Sequence, residues 1–187
     1  MPGYVGLLLP DVYSKRMELE FIRWLREHVP QHPNAPLGLS DDAALVSLAG
    51  QSNVIVTIDT LTDGVDFRVE VDDPRRIGRQ ALAANLSDLA AMAAQPLAAV
   101  ISLALPPNDP ATNDSLQLAI ALYEGLLPLA KEYDVAIAGG DTNTFDGPLV
   151  ISVAAFGQPT GRGPLTRSGG QAGDWLLVTG ALGGSLL

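Results

Sequence analysis

Residues 84–96, ANLSDLAAMAAQP, constrain the fold more than any other stretch of the chain. Leu82, Leu86, Leu89 and Met92 spread around a helical circumference instead of lining one stripe. A helix that is apolar nearly all round has to be covered by other elements, so this segment belongs inside a domain. Asp88 interrupts it. An ionised carboxylate in such a place is costly unless it is paired, hydrogen-bonded or metal-bound. The fold must therefore supply a partner for Asp88, either an arginine such as Arg79 in the preceding turns or a cation. The NLS at Asn85 formally matches a glycosylation sequon, but it lies within the same buried helix.

Around this helix the hydrophobic period changes several times. Residues 17–29 read as an amphipathic helix carrying Leu19, Ile22, Leu25 and Val29, closed by the prolines of PQHPNAP. Strands are expected at AALVSL and at the β-branched NVIVTID. The central helix is expected from Pro74 to about Ala94, with Pro74 at its first position and Asp73 as cap. LAAVISLALP reads as a buried strand, and a second long helix is expected over about 111–133. VAIAGG then gives a short strand, GPLVISVAAFG a longer one, PTGRGPLTRSGGQAGD a loop and WLLVTG a last strand. These units are too unequal for a regular βα repeat. The expected fold is α+β, a mixed sheet with two long helices packed on one face. Residues 1–16 lack the basic start and apolar region of a signal peptide and read as a disordered or mis-started extension. Residues 17–160 read as the domain proper, and 161–187 as a linker and the first strand of a second domain cut short after GALGGSLL.

Composition narrows the chemistry. Hydrophobic residues make up 47% of the 187, enough for a core, and no stretch approaches membrane-spanning length. The lack of cysteine excludes disulfides, thiolate metal sites and thiol catalysis, and fits a reducing, cytoplasmic compartment. A net charge of −10 without a basic patch argues against a nucleic-acid partner. The lysines are Lys15 and Lys131, so there is no phosphate-binding GxxxxGK[ST] loop, and no GxSxG nucleophile turn occurs. Pro30 separates His28 from His32, which argues against a shared helix face and a zinc site.

What remains is aspartate. Asp41 and Asp42, then Asp59, Asp63 and Asp66, then Asp88, then Asp141 each stand where an element begins, ends or turns, except for Asp88 in its helix. Asp59 is at the exit of a β-branched strand, a common place for a site residue in α/β proteins. Asp141 follows two glycines, whose backbone N–H groups could cradle a phosphate. Converging carboxylates without a cation would force one another to protonate. With Mg²⁺ between them they stay ionised and can hold a polyphosphate. Each also has a plainer reading: Asp41, Asp42 and Asp141 as turn residues, and Asp63-Gly64 as a simple turn.

In this order and spacing, GLSDDAALV, TIDTLTDGVDF, IGRQALAANLSDLAAMAAQP, AGGDTNT and GRGPLTRSGGQAGDWLLVTG resemble the thiamine-monophosphate kinase family, from about residue 20 to the C-terminus. A looser form of the pattern is shared with the aminoimidazole ribonucleotide synthetase and selenophosphate synthetase superfamily. The resemblance implies ATP-dependent phosphorylation of thiamine monophosphate to thiamine diphosphate. The transfer would be direct and in-line, with several Mg²⁺ ions and no covalent nucleophile, so that catalysis is positioning and electrostatics. It implies Mg²⁺ ligation by Asp42, Asp59, Asp88 and Asp141, with Thr57 assisting. It implies nucleotide contacts from Gly140, Asp141, Arg167 and Tyr123, and a substrate contact at Asp66. The implied architecture is the superfamily's N-terminal ATP- and Mg²⁺-binding domain, whose sheets pair into a barrel across a homodimer and so bury strand edges.

The chain departs from the family pattern at three positions. Ser40 replaces the glycine before the paired acids, and Ile58 stands where Thr often adds an oxygen beside Asp59. GVDF replaces GVHF, so Asp66 sits where a substrate-contacting His is expected, and an acid there repels a phosphate. The family also carries further metal and substrate residues in a second domain. Two other readings therefore stand beside the kinase: a non-catalytic Mg²⁺–nucleotide-binding dimerisation module, and another ATP-dependent enzyme of the superfamily with a different acceptor.

Overall fold

The structure, a computed structural model, describes residues 43–47, 53–107, 114–178 and 180. The extension at 1–16, the helix expected at 17–29, Ser40 and the pair Asp41 and Asp42 lie outside the described residues.

The elements run β1 (Ala44–Ser47), β2 (Asn53–Thr62), α1 (Pro74–Ala91), β3 (Ala94–Leu105), α2 (Asp114–Glu132), β4 (Ala136–Thr144) and β5 (Val150–Pro159). They form one five-stranded sheet in the order β1-β2-β5-β3-β4. The β1–β2, β2–β5 and β5–β3 pairings are antiparallel, and β3–β4 is parallel across the α2 connection. The sheet is therefore mixed. α1 packs on β2, β5 and β3, α2 on β3 and β4, and the helices pack on each other. This is the α+β arrangement expected, with both long helices on one face.

Period-2 alternation sets which side chains meet the helices. Ile55, Thr57 and Leu61 of β2 are buried, while Ile58 between them is 67% exposed. Ile101, Leu103 and Leu105 of β3 and Ile151, Val153 and Ala155 of β5 complete that buried face. α1 opens as read, with Pro74 at its start and the Asp73 carboxylate accepting from Arg75 N–H at 2.9 Å. It ends at Ala91, short of the expected Ala94, because Ala93 turns to a left-handed φ of 52° and the chain enters β3. Its unusual apolar circumference is explained by two neighbours, the sheet on one side and α2 on the other. Contact with α2 is backbone to backbone. A β-carbon at Gly78 would collide with the Leu122 carbonyl, and one at Gly125 with the Arg75 carbonyl.

Two expectations change. β4 was expected to end at Gly140, but it runs through GGDTNT to Thr144, because β3 is long enough to pair with it as far as Leu105↔Thr144. WLLVTG was expected as a strand, yet residues 175–178 join no ladder among the described residues, and Trp175 and Leu176 are 88% and 95% exposed. A strand needs a partner for its backbone groups, and no described strand provides one here. The loop before it contains a short 3-10 turn, Arg167–Gly169, and is tied to the end of α1 by Leu165 N–H donating to the Met92 carbonyl at 3.1 Å. Among the described residues no helix is long and apolar enough to cross a membrane.

Candidate functional site

The partner that α1 requires for Asp88 comes from β2. Thr57 is 5% exposed, and its Oγ1 donates to Asp88 Oδ2 at 2.7 Å. Asp59, two residues further along β2, points to the same face by strand alternation. Burial raises its carboxyl above the ordinary aspartate range, and the neighbouring charge of Asp88 raises it further. Two carboxylates and a hydroxyl thus share the seam between α1 and β2. The arginine alternative is not taken up. Arg79 lies 3.9 Å from Glu132 and Arg75 lies 2.6 Å from Glu124, joining α1 to α2, and no ion pair among the described residues reaches Asp59 or Asp88.

Asn85, one turn before Asp88, is a polar side chain to which the sequence reading gives no role. It is fully buried, its Nδ2 donates to the Ala81 carbonyl at 3.1 Å, and its Oδ1 has no partner among the described residues. The signal was available: a polar amide in the same all-apolar run poses the same question as Asp88 does.

Asp141 lies elsewhere. Asp59 is in register with Val153, Val153 with Ile101, and Ile101 with Gly140. The next rung, Thr60–Ser152–Ser102–Asp141, faces the opposite side of the sheet. β2 and β4 are three strand spacings apart, roughly 14 Å. The structure brings Thr57, Asp59 and Asp88 together and does not bring Asp141 to them. Among the described residues, no three His, Cys, Asp or Glu side chains cluster as a metal site by themselves. Asp141 instead borders a cavity of about 220 Å³ on the open face, with Ile58, Val100, Ser102, Ser152 and Ala154. Gly140 is required by packing, since a β-carbon there would strike the Ile101 carbonyl.

Tyr123 of α2 lines a second cavity, of about 300 Å³, on the helix face beside β4. Leu103, Ile120, Glu124, Leu127 and Thr142 share its walls. Burial raises the Tyr123 hydroxyl above its ordinary value, so it stays a neutral donor. Arg167 sits in the exposed 3-10 turn. Asp66 is exposed and shapes its own turn, Oδ2 accepting from Thr62 N–H at 2.8 Å, while Asp63 Oδ1 accepts from Val69 N–H at 3.0 Å. Gly64, at φ 83°, closes that turn, so the plainer reading of Asp63-Gly64 describes its geometry.

With this geometry in hand, the chain can be set beside known proteins. It is 44% identical over 178 residues to the thiamine-monophosphate kinase of Rhodopirellula baltica, which covers 91% of this chain and 54% of that protein. The crystal structure of thiamine-monophosphate kinase from Stenotrophomonas maltophilia K279a is 39% identical, with a TM-score of 0.54 over 79% of this chain and 43% of that one. AaThiL complexed with AMPPCP and TMP, at 23% identity, shares the fold, with a TM-score of 0.61 over 83% of this chain and 45% of that one. The chain therefore spans about half the length of the relatives it matches. The family model for AIR synthase related protein, N-terminal domain, matches residues 40–158, which take in β1 to β4, both helices and all of β5 but its last residue, and the chain belongs to that family.

Proposed function

We propose that this chain carries the ATP- and Mg²⁺-binding half of a thiamine-monophosphate kinase, which transfers a phosphoryl group from ATP to thiamine monophosphate. The observation that carries the reading is the Thr57–Asp59–Asp88 seam. Two carboxylates on one seam, one of them raised by burial and then by the other, with no basic partner among the described residues, are matched to a hard divalent cation. The donor set fits Mg²⁺. Asp59 and Asp88 would hold it, and the Thr57 hydroxyl, by donating to Asp88 Oδ2, fixes which carboxylate oxygen is left to bind. Bound Mg²⁺ would neutralise the phosphates that meet in the transfer. Asp42 and Asp141 supply ligands for further ions, and Gly140 and Arg167 face the nucleotide. Tyr123 offers its neutral hydroxyl from an apolar cavity suited to a flat base. Relatives named thiamine-monophosphate kinase and a fold relative complexed with AMPPCP and TMP support this choice of substrates.

A homodimer goes with the reading. The sheet is open on the side away from the helices, where Ile58 is strongly exposed beside Val100 and Ala154, a surface that a second copy would cover. An ATP-consuming biosynthetic enzyme of this kind would work in the cytoplasm. Asp66 favours one second reading. With its carboxylate turned to Thr62 N–H it shapes the loop and offers no donor to a substrate phosphate, which suits a superfamily enzyme with another acceptor.

The test is Asp88→Asn in the full-length protein. Calorimetry should show Mg²⁺–ATP affinity falling at least about ten-fold, in line with loss of a charged ligand. Unchanged affinity sinks the metal role. Turnover of thiamine monophosphate that improves in Asp66→His supports the acceptor, and no improvement favours the second reading.

A further inference from the structure

We infer that Asn85 is a positioning residue of the cation site, its Oδ1 accepting a hydrogen bond from a water molecule bound to the cation held by Asp59 and Asp88. The inference rests on the metal reading above and deepens it. A buried polar atom without a partner is rare enough in folded proteins to require a cause, and an absent water or ion is one of the few available. Asn85 has no surface exposure, and its Oδ1 is the buried side-chain atom left unpartnered among the described residues.

The amide cannot escape by flipping. Its Nδ2 already donates to the Ala81 carbonyl, and reversing the group would set oxygen against oxygen while leaving the nitrogen as the orphan. With one branch of the planar amide tied back to its own helix, the other is held in the interior that α1 covers. Three residues on, Asp88 meets Thr57 of β2. Side chains three apart on a helix are neighbours, with β-carbons about 5–6 Å apart. An amide oxygen and a carboxylate are both acceptors and cannot bond each other directly, whereas one intervening water can donate to the amide oxygen.

The chemistry matches on both sides. Mg²⁺ keeps several of its waters when it binds protein carboxylates. Such a water spends its lone pair on the metal and offers only O–H donors. An orphaned amide oxygen can only accept. Partners of this outer kind orient the inner ligands and tune affinity, and their loss costs about 10–100-fold in metal binding.

The experiment compares Asn85→Leu with Asp88→Asn in the full-length protein, with Mg²⁺ alone titrated against thermal unfolding and by calorimetry. Leucine has nearly the shape of asparagine and removes the orphan. Without Mg²⁺ it should raise the melting temperature, since replacing an unsatisfied buried polar group by an apolar one is neutral or stabilising. With Mg²⁺, the variant should bind at least about ten-fold more weakly and gain less from the ion. A stabilised variant with Mg²⁺ affinity within two-fold of the parent overturns the inference and leaves the orphan as a packing defect. If leucine prevents folding, Asn85→Ala carries the same ten-fold threshold. The two failures are distinguishable. Mg²⁺ binding that survives Asp88→Asn removes the cation site and this inference with it. Binding lost in Asp88→Asn but kept in Asn85→Leu removes the inference alone.

Discussion

The α1–β2 seam and the β4 edge both carry aspartates of the acidic pattern, and they are built in opposite ways. At the seam, Asp88 and Asp59 are pressed together by the core: α1 is locked to α2 through Gly78 and Gly125 and lies on β2, so their approach is a by-product of folding. At the edge, Asp141 is exposed on a strand that, among the described residues, pairs only with β3, and it faces the side of the sheet away from the helices. One site is held by the same packing that holds the protein together. The other lies outside that packing.

Breaking the seam should therefore cost stability. Gly78→Val drives a branched side chain into the Leu122 carbonyl, in a helix interface with no room to yield. We expect a loss of about 3 kcal/mol by chemical denaturation, the upper part of the range for overpacking. A loss below about 1 kcal/mol would mean that the helices can part without disturbing α1. Thr57→Val is gentler. It keeps the shape, removes the hydroxyl from Asp88 Oδ2, and leaves a partly buried carboxylate without its donor. About 1.5 kcal/mol is expected, as for a hydrogen bond to a charged group. Added Mg²⁺ should recover part of it, because the ion can satisfy the same oxygen.

The seam was also the more legible half in the sequence, for a physical reason. Asp88 stands out because burial of its helix follows from a local pattern, and Thr57 and Asp59 share a face because strand alternation is local too. The position of Asp141 depends on something distant. AGGDTNT reads as a strand exit by composition, and it is a strand because β3 runs far enough to pair with it. The unpaired residues 175–178 show the converse: WLLV has strand propensity, and propensity without a ladder partner gives exposed, irregular chain. Asp66 falls between the two, since GVDF places it in a turn but not which way its carboxylate faces.

The electrostatic strain of the seam gives a pH signature that the edge should lack. The Asp59 carboxyl is raised in the fold by burial and then by Asp88. A raised folded value means the native state holds the proton more tightly than the unfolded chain. Its contribution to stability is therefore full below the ordinary aspartate value of 3.8 and is lost as pH rises through the raised one. The metal-free protein should pay this penalty at neutral pH, and Asp59→Asn should abolish that part of the pH dependence. Saturating Mg²⁺ should flatten it as well, by favouring the ionised form. Melting curves across pH 4–7, with and without Mg²⁺, measure it. A profile for Asp59→Asn that superimposes on the parent in the metal-free state would show that neither burial nor Asp88 raises the Asp59 carboxyl.

The smallest effect on stability is expected at the edge, and it separates the two regions most sharply. Asp141→Asn changes an exposed side chain with no hydrogen bond to the core among the described residues, so unfolding should shift by no more than about 0.5 kcal/mol. Nucleotide affinity is a different matter, because a residue that costs nothing to alter in the folded chain can still be required by a ligand. If Asp141 serves the nucleotide, Mg²⁺–ATP binding in the full-length protein should weaken while the melting temperature stays put. At the seam both should change together, since Thr57 and Asp88 belong to the packing as well as to the site. Asp141→Asn with parental ATP affinity would strip the edge of its role and leave the cation site to the seam and Asp42. A variant that melted several degrees lower would overturn the contrast itself, showing that the edge is as much a part of the core as the seam is.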